Sequence, residues 1–288
     1  MDKKSEPRKD MPIPGAAGIF GRRPMKYLIF LPILATAIWF AGLSALLFMW
    51  INAGRPRYDE NVASVAFISD IGGANQTLFL SICIFVIIFY LLSVIVISYM
   101  RWKDRLPGKS CFDLPTDKLA LTMSCLAIFF CFIGCAGLFT LANWNCYDYS
   151  AIHWHGTLIF ILGTAASAFF QTFEVWALRT GHKNRKHLKR NTIAKLLCVG
   201  ADIVLAAAFG GTYTYCDGAA TATNGHTASQ CNRMSSIAAD LEWTIAYGLN
   251  LYFLTLAADL WPAGKEKKNL DSEKGYNEES SDEGSIKK

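Results

Sequence analysis

The sequence predicts an all-α integral membrane bundle of six transmembrane helices with both termini in the cytosol. Three observations predict it. The run 78–100 carries no charge and is long enough to cross a hydrocarbon layer of roughly 30 Å at about 1.5 Å per helical residue. The 288 residues are 52% hydrophobic and only 18% charged, against about 25% charged in an ordinary soluble domain. Lys and Arg are also segregated: all of the 28 except Arg55, Arg57 and Arg233 fall in one set of connecting segments.

The elements follow in order. Residues 1–25 are polar and rich in Pro and Gly, and are expected to form a disordered cytosolic arm. The basic lead is too long, and the apolar run after it too extended, for a cleaved signal peptide. The transmembrane domain is expected over 26–262, with spans at about 27–50, 78–100, 119–142, 153–178, 196–215 and 236–261. Pro32 sits near the start of the first span, where a missing N–H costs least. The second ends on Arg101, Trp102 and Lys103, an aromatic and basic boundary that suits a membrane interface. Pro262 is expected to stop the sixth span, and the mixed-charge tail 263–288 to be disordered.

Orientation comes from the positive-inside rule. The arm, the loop 101–118, the loop 179–195 and the tail hold nearly all the basic residues, so both ends and these two loops are assigned to the cytosol. The net charge of +5 therefore describes loops; no basic stripe on a folded soluble face offers a nucleic acid a binding surface. The same topology puts Cys146, Cys216 and Cys231 on the outer side, where disulfides persist. Cys216 and Cys231 flank one loop and are the simplest pair; a bridge from Cys146 to either is the rival. The sequon Asn75-Gln76-Thr77 lies so near the membrane surface that it is expected to stay unglycosylated.

Ionisable residues near the spans are the candidates for chemistry. Ser69, Asp70, His153, Asp240 and Glu242 fall at one outer level and define a candidate polar pocket. Such a set can do acid–base work, hold a lipid headgroup, or form a hydrogen-bond network tying the outer loops to the helix ends. Gly72-Gly73 either presents backbone N–H groups to an anion or makes a tight turn capped by Ser69 or Asp70. His153 and His155 are two apart and point to different sides of a helix, so they do not make a zinc pair. Glu174 and Asp259 lie near cytosolic span ends, within reach of water or basic neighbours, and Asp202 is the carboxylate deepest in a span. On the cytosolic side, Lys183, Arg185, Lys186, Lys189 and Arg190 face the anionic leaflet and are expected to contact anionic or phosphoinositide headgroups. No catalytic residue, metal or cofactor is assigned.

The turn Phe67-Ile68-Ser69-Asp70-Ile71-Gly72-Gly73, His153 at the start of the fourth span, and Glu242-Trp243 in the sixth resemble the DRAM/Frag/Sfk family. That family groups damage-regulated autophagy modulators, FGF-receptor-activating proteins, the N-terminal domain of the fungal Cwh cell-wall proteins, and fungal Sfk proteins. The resemblance covers about Pro24 to Pro262, and the basic arm and charged tail are most similar to the Sfk-type branch. Family members often carry a Pro-Glu pair just after the turn, where this chain has Ala74-Asn75-Gln76-Thr77. The resemblance implies a plasma-membrane protein that acts with a PI 4-kinase complex and influences lipid organisation, and the function expected on this basis is a non-enzymatic one. Other branches imply remodelling of GPI-anchor lipids in the ER or Golgi, or autophagy control at the lysosome or vacuole.

Overall fold

The structure, a computed structural model, describes residues 27–59, 62–102, 116–178 and 185–285, with the backbone alone for 102, 116–117, 177–178, 185–189 and 262–285. The arm 1–25, Lys183 and most of the two basic loops lie outside the described residues. The described residues form helices α1 (Phe30–Asn52), α2 (Ile68–Ala74), α3 (Gln76–Trp102), α4 (Thr116–Asn143), α5 (Ser150–Leu178), α6 (Arg185–Tyr215) and α7 (Ala228–Ser285), and no strand.

Five of these are long and apolar enough to cross a membrane: α1, and most of α3, α4, α5 and α6. Residues 236–261 of α7 are more polar, because Asp240, Glu242, Asn250 and Asp259 interrupt the run. Yet this half of α7 is central to the packing. Tyr252, Phe253, Leu256 and Leu260 are buried with Trp39, Leu43 and Leu46 of α1 and with Val86, Tyr90, Val94 and Ile97 of α3. Large apolar side chains cover the outside instead, among them Phe85, Phe132, Leu197, Val204 and Leu251. Outward Phe and Leu around an interior that holds hydrogen-bonded polar groups is the arrangement that lipid as solvent selects.

Polar cross-links join the helices. The Trp39 indole N–H donates to Ala246 O at 2.7 Å. Gln171 Nε2 donates to the Tyr252 hydroxyl at 3.0 Å, and Ser167 Oγ to Ala127 O at 2.8 Å. Between α4 and α5 the contact is backbone to backbone. A Cβ on Gly137 would lie 2.4 Å from Phe160 N, and one on Gly163 would lie 2.5 Å from Gly134 N. Glycine there is a requirement of helix approach, as in other small-residue interfaces between membrane helices.

At the end of the bundle opposite the Cys216–Cys231 bridge, four helices share a buried ion network. Arg101 (α3) pairs with Glu174 (α5) at 2.8 Å and with Asp259 (α7) at 3.0 Å. Lys195 (α6) also pairs with Asp259, and Asn191 donates to the same carboxylate. All four charged side chains are 7% exposed or less. Glu174 and Asp259 thus meet basic partners, as the sequence allowed, but away from water. Lys195, which the sequence placed at the end of a basic loop, is fully buried.

Other boundaries differ too. α6 begins at Arg185, so about two thirds of the expected loop 179–195 is helical; Arg185, Lys186 and Lys189 lie in its first turns and Arg190 is exposed. α7 does not stop at Pro262 but continues to Ser285. Proline removes a single backbone bond there, and the Glu- and Lys-rich stretch after it favours helix. The expected turn at 67–73 is itself helical from Ile68 onward, as α2. Asp202 rests against α7, where Gly248 leaves room for it: a Cβ at that position would lie 2.5 Å from Asp202 Oδ1.

Candidate functional site

Where the segments 53–59, 62–67, 144–149 and 216–227 meet, the bundle holds a cavity of about 440 Å³. Its floor is α2, a seven-residue helix too short to be stable alone. Two carboxylates hold its N-terminus. Asp70 Oδ2 accepts the Phe67 N–H at 3.0 Å from within the same turn. Glu242 Oε2, from α7, accepts the Ile68 N–H at 2.7 Å. The next residue grips the same strand of chain, since the Trp243 indole N–H donates to Ala66 O at 3.1 Å. Free N–H groups at a helix start attract negative charge, so both carboxylates sit where physics favours them.

The loop after α4 closes over α2. Tyr147 Oη donates to Asp70 O at 3.0 Å, and Cys146 Sγ donates to Ser69 O at 3.3 Å. Gly72 and Gly73 are what let the pieces approach. A Cβ on Gly72 would meet the Phe79 ring at 2.8 Å, and one on Gly73 the Tyr147 ring at 2.9 Å. The glycine pair therefore serves close packing inside a helix. Asn75 closes that helix, its Nδ2 donating to Ile71 O at 3.0 Å.

His153 lines the cavity at the start of α5. Its Nδ1 lies 2.9 Å from Trp144 O, so that nitrogen carries the proton and ties the loop back to the helix. His155 turns outward and is exposed. The aromatic wall comes from two helices. Trp154 of α5 and Tyr213 of α6 stack with centroids 4.5 Å apart and planes at 9°, and Phe209 packs beside both. The lid is the loop after α6, held by the Cys216–Cys231 disulfide.

Of the sequence candidates, Ser69, Asp70, His153 and Glu242 reach this cavity and Asp240 does not. Asp240 is exposed on the far side of α7. The reason is helix geometry: residues two apart point to different faces, so Asp240 and Glu242 cannot share a pocket. Asp59, Asp217, Tyr147, Trp154, Phe209 and Tyr213 are not among the candidates and line it as well. An aromatic residue at matching depth in two neighbouring spans was the available signal.

Burial pushes the Asp70 carboxyl up to about 6, against the Phe67 N–H and Cys146 thiol that favour its charge; the nearby Asp59 adds to the rise. Burial, followed by the Asp70 charge, pushes the Cys146 thiol up to about 12. At neutral pH Cys146 is a thiol, not a thiolate, and is a poor nucleophile. The polar groups of the cavity thus act first on backbone: they cap, tether and close.

The family model for the Frag1/DRAM/Sfk1/Cwh43P N-terminal domain matches residues 27–263. Protein sfk1 of Schizosaccharomyces pombe is 24% identical over 242 residues, which is 82% of this chain and 65% of that protein. The chain therefore spans slightly less than two thirds of that relative's length. No solved structure matches the chain. With the matched region covering every membrane-length helix, the chain belongs to the Frag1/DRAM/Sfk1/Cwh43P N-terminal domain family.

Proposed function

We propose that this protein is a non-enzymatic, six-span plasma-membrane protein that scaffolds or regulates PI 4-kinase signalling and organises membrane lipids. Both termini and the two basic loops face the cytosol, and residues 236–261 of α7 form the sixth span. The observation that carries this is the opposition of the two ends of the bundle. The disulfide Cys216–Cys231 lies at one end, which suits a lumenal or extracellular side. Among the described residues, Arg101, Lys118, Arg190 and Lys195 lie towards the other, and an anionic leaflet attracts exposed basic side chains at about 1 kcal/mol each. The non-enzymatic part rests on the cavity chemistry. Asp70, Glu242 and His153 are bonded to backbone groups, and Cys146 stays protonated at neutral pH.

Affinity purification in a mild detergent, with mass spectrometry of proteins and retained lipids, tests the reading. It predicts a PI 4-kinase subunit and phosphoinositide in the wild-type sample. Both are lost when Arg185, Lys186, Lys189 and Arg190 are replaced by Gln. Equal recovery from wild type and variant would contradict it.

A second reading is remodelling of GPI-anchor lipids, favoured by the gathering of Asp70, His153 and Glu242 in one cavity. Under that reading a GPI precursor or lyso-lipid co-purifies without a kinase.

A further inference from the structure

α7 is one helix with two chemically different ends. Near its start Cys231 is held in the Cys216–Cys231 disulfide, a bond that persists in an oxidising compartment. The same helix runs on through Pro262 to Ser285. From Cys231 to Ser280 is about 74 Å of helix at about 1.5 Å per residue, against a hydrocarbon layer of roughly 30 Å. With 236–261 as the sixth span, Ser280 lies across the membrane from the disulfide, about 28 Å of helix beyond Trp261. The reducing compartment on that side is the one that holds nucleoside triphosphates and protein kinases.

The tail carries its charge in two zones. Lys265, Lys267 and Lys268 come first, nearest the leaflet, and Glu278, Glu279, Asp282 and Glu283 come last. Between 275 and 285 there is no basic residue. Along the helix the acidic zone stands well beyond the Debye length of about 8 Å, so the field of the leaflet does not reach it. It also forms the end of α7 least favoured as helix. Asp282 and Glu283 sit in the last turn, at the negative end of the helix dipole, with no basic residue there to offset them. Such an end opens readily, and a kinase groove takes its acceptor in extended form.

We infer that Ser280 is a phosphorylation site for an acid-directed serine kinase. Such a kinase reads carboxylates that flank its acceptor, above all the one three residues on. Ser280 has Glu283 at that place, whereas Ser272 and Ser281 have glycine and Ser285 has Lys288. The Ser280 hydroxyl attacks the γ-phosphorus of ATP, the bond to the β-phosphate oxygen breaks, ADP leaves, and the hydroxyl proton passes to a base of the kinase. The product adds a charge of about −1.5 to −2 to the helix end. That charge opposes the dipole and unwinds the last turns. The inference rests on the six-span reading above and adds a covalent modification to its cytosolic end.

The test begins with the full chain purified in detergent, where both faces are open. It is incubated with radiolabelled ATP and a purified acid-directed serine kinase, and in parallel with a purified base-directed one. Labelled peptides are mapped by mass spectrometry. The expected result is phosphate on Ser280 from the acid-directed kinase alone. Labelling is lost in Ser280→Ala, falls about tenfold in Glu283→Gln, and is unchanged in Ser272→Ala. No label, a label that survives S280A, or equal labelling of Ser280 by the base-directed kinase overturns the inference. The same peptide is then read from cells that express the chain, beside the accessibility of an epitope tag placed after Lys288. Phosphate on Ser280 with the tag sheltered in intact cells supports the inference. A sheltered tag without phosphate overturns it and leaves the six-span reading standing. A tag exposed on intact cells overturns that reading and the inference with it.

Discussion

Glu242 Oε2 accepts the Ile68 N–H at 2.7 Å across 174 residues of sequence, so a carboxylate of α7 caps the short helix α2. The Trp243 N–H to Ala66 O bond is its companion. Together they fasten the Phe67–Gly73 segment to the last helix of the bundle. Glu242→Ala removes a buried cap acceptor and is expected to lower stability by about 1–3 kcal/mol. Glu242→Gln keeps the acceptor and is expected to lose less than half as much. Thermal unfolding in detergent, read for both variants beside wild type, checks the order.

The α4–α5 contact gives a sharper contrast. Gly137→Leu drives a side chain into the backbone of Phe160, whose nitrogen would lie 2.4 Å from the new Cβ. Overpacking of this kind costs at least about 1–3 kcal/mol. A Cβ on Gly210 of α6 meets nothing within 4 Å, so Gly210→Ala is expected to be neutral or slightly stabilising. Folded yield after detergent extraction should separate the two. Equal yields would mean that α4 and α5 are not packed this closely.

The buried ion network predicts non-additivity. Lys195→Met leaves Asp259 with Arg101 and Asn191, and Asp259→Leu leaves Lys195 as a buried charge without its carboxylate. Breaking a buried pair from one side costs about 3–5 kcal/mol. The double variant retains Arg101 with Glu174. It is expected to be more stable than Asp259→Leu alone. A double-mutant cycle on unfolding midpoints measures this directly, and simple addition of the two losses would contradict the pairing.

Much of this architecture is legible in the amino-acid pattern. The apolar runs locate the membrane helices, and residue type and level single out Asp70 and Glu242. Lys195 is not legible. Counting charges near span ends treats every lysine as solvated, and its partner Asp259 is 64 residues away. The Trp154–Tyr213 wall is hidden for a similar reason: aromatic residues near span ends look alike until two of them stack. Asp240 is the opposite case, since helix periodicity alone separates it from Glu242.

The cavity also makes stability depend on pH. The Asp70 carboxyl titrates at about 6 when folded, against about 4 in an unfolded chain. The folded state therefore holds the proton over that interval while the unfolded state has released it. Stability falls as pH rises from about 4 to 6 and is not regained above it. The groups facing Asp70 are Phe67 and Cys146, which favour its charge, with Asp59 opposing it; Tyr147 from the α4–α5 loop and Glu242 from α7 also adjoin the site. Subtracting the pH profile of Asp70→Asn from that of wild type isolates the effect. The difference is expected to change by on the order of 3 kcal/mol at most across the window. A flat difference would show that Asp70 is not held as described.

The central claim is that the working surface is the basic cytosolic end, with the disulfide-side cavity structural or ligand-binding and not catalytic. The most direct measurement is the plasma-membrane level of phosphatidylinositol 4-phosphate in cells lacking the native chain. Wild type, the Arg185/Lys186/Lys189/Arg190→Gln variant and Glu242→Gln are re-expressed at equal surface abundance. A drop in the quadruple variant, with Glu242→Gln near wild type, is the predicted result. A drop in Glu242→Gln, with the quadruple variant unaffected, would contradict the claim and move the activity into the cavity.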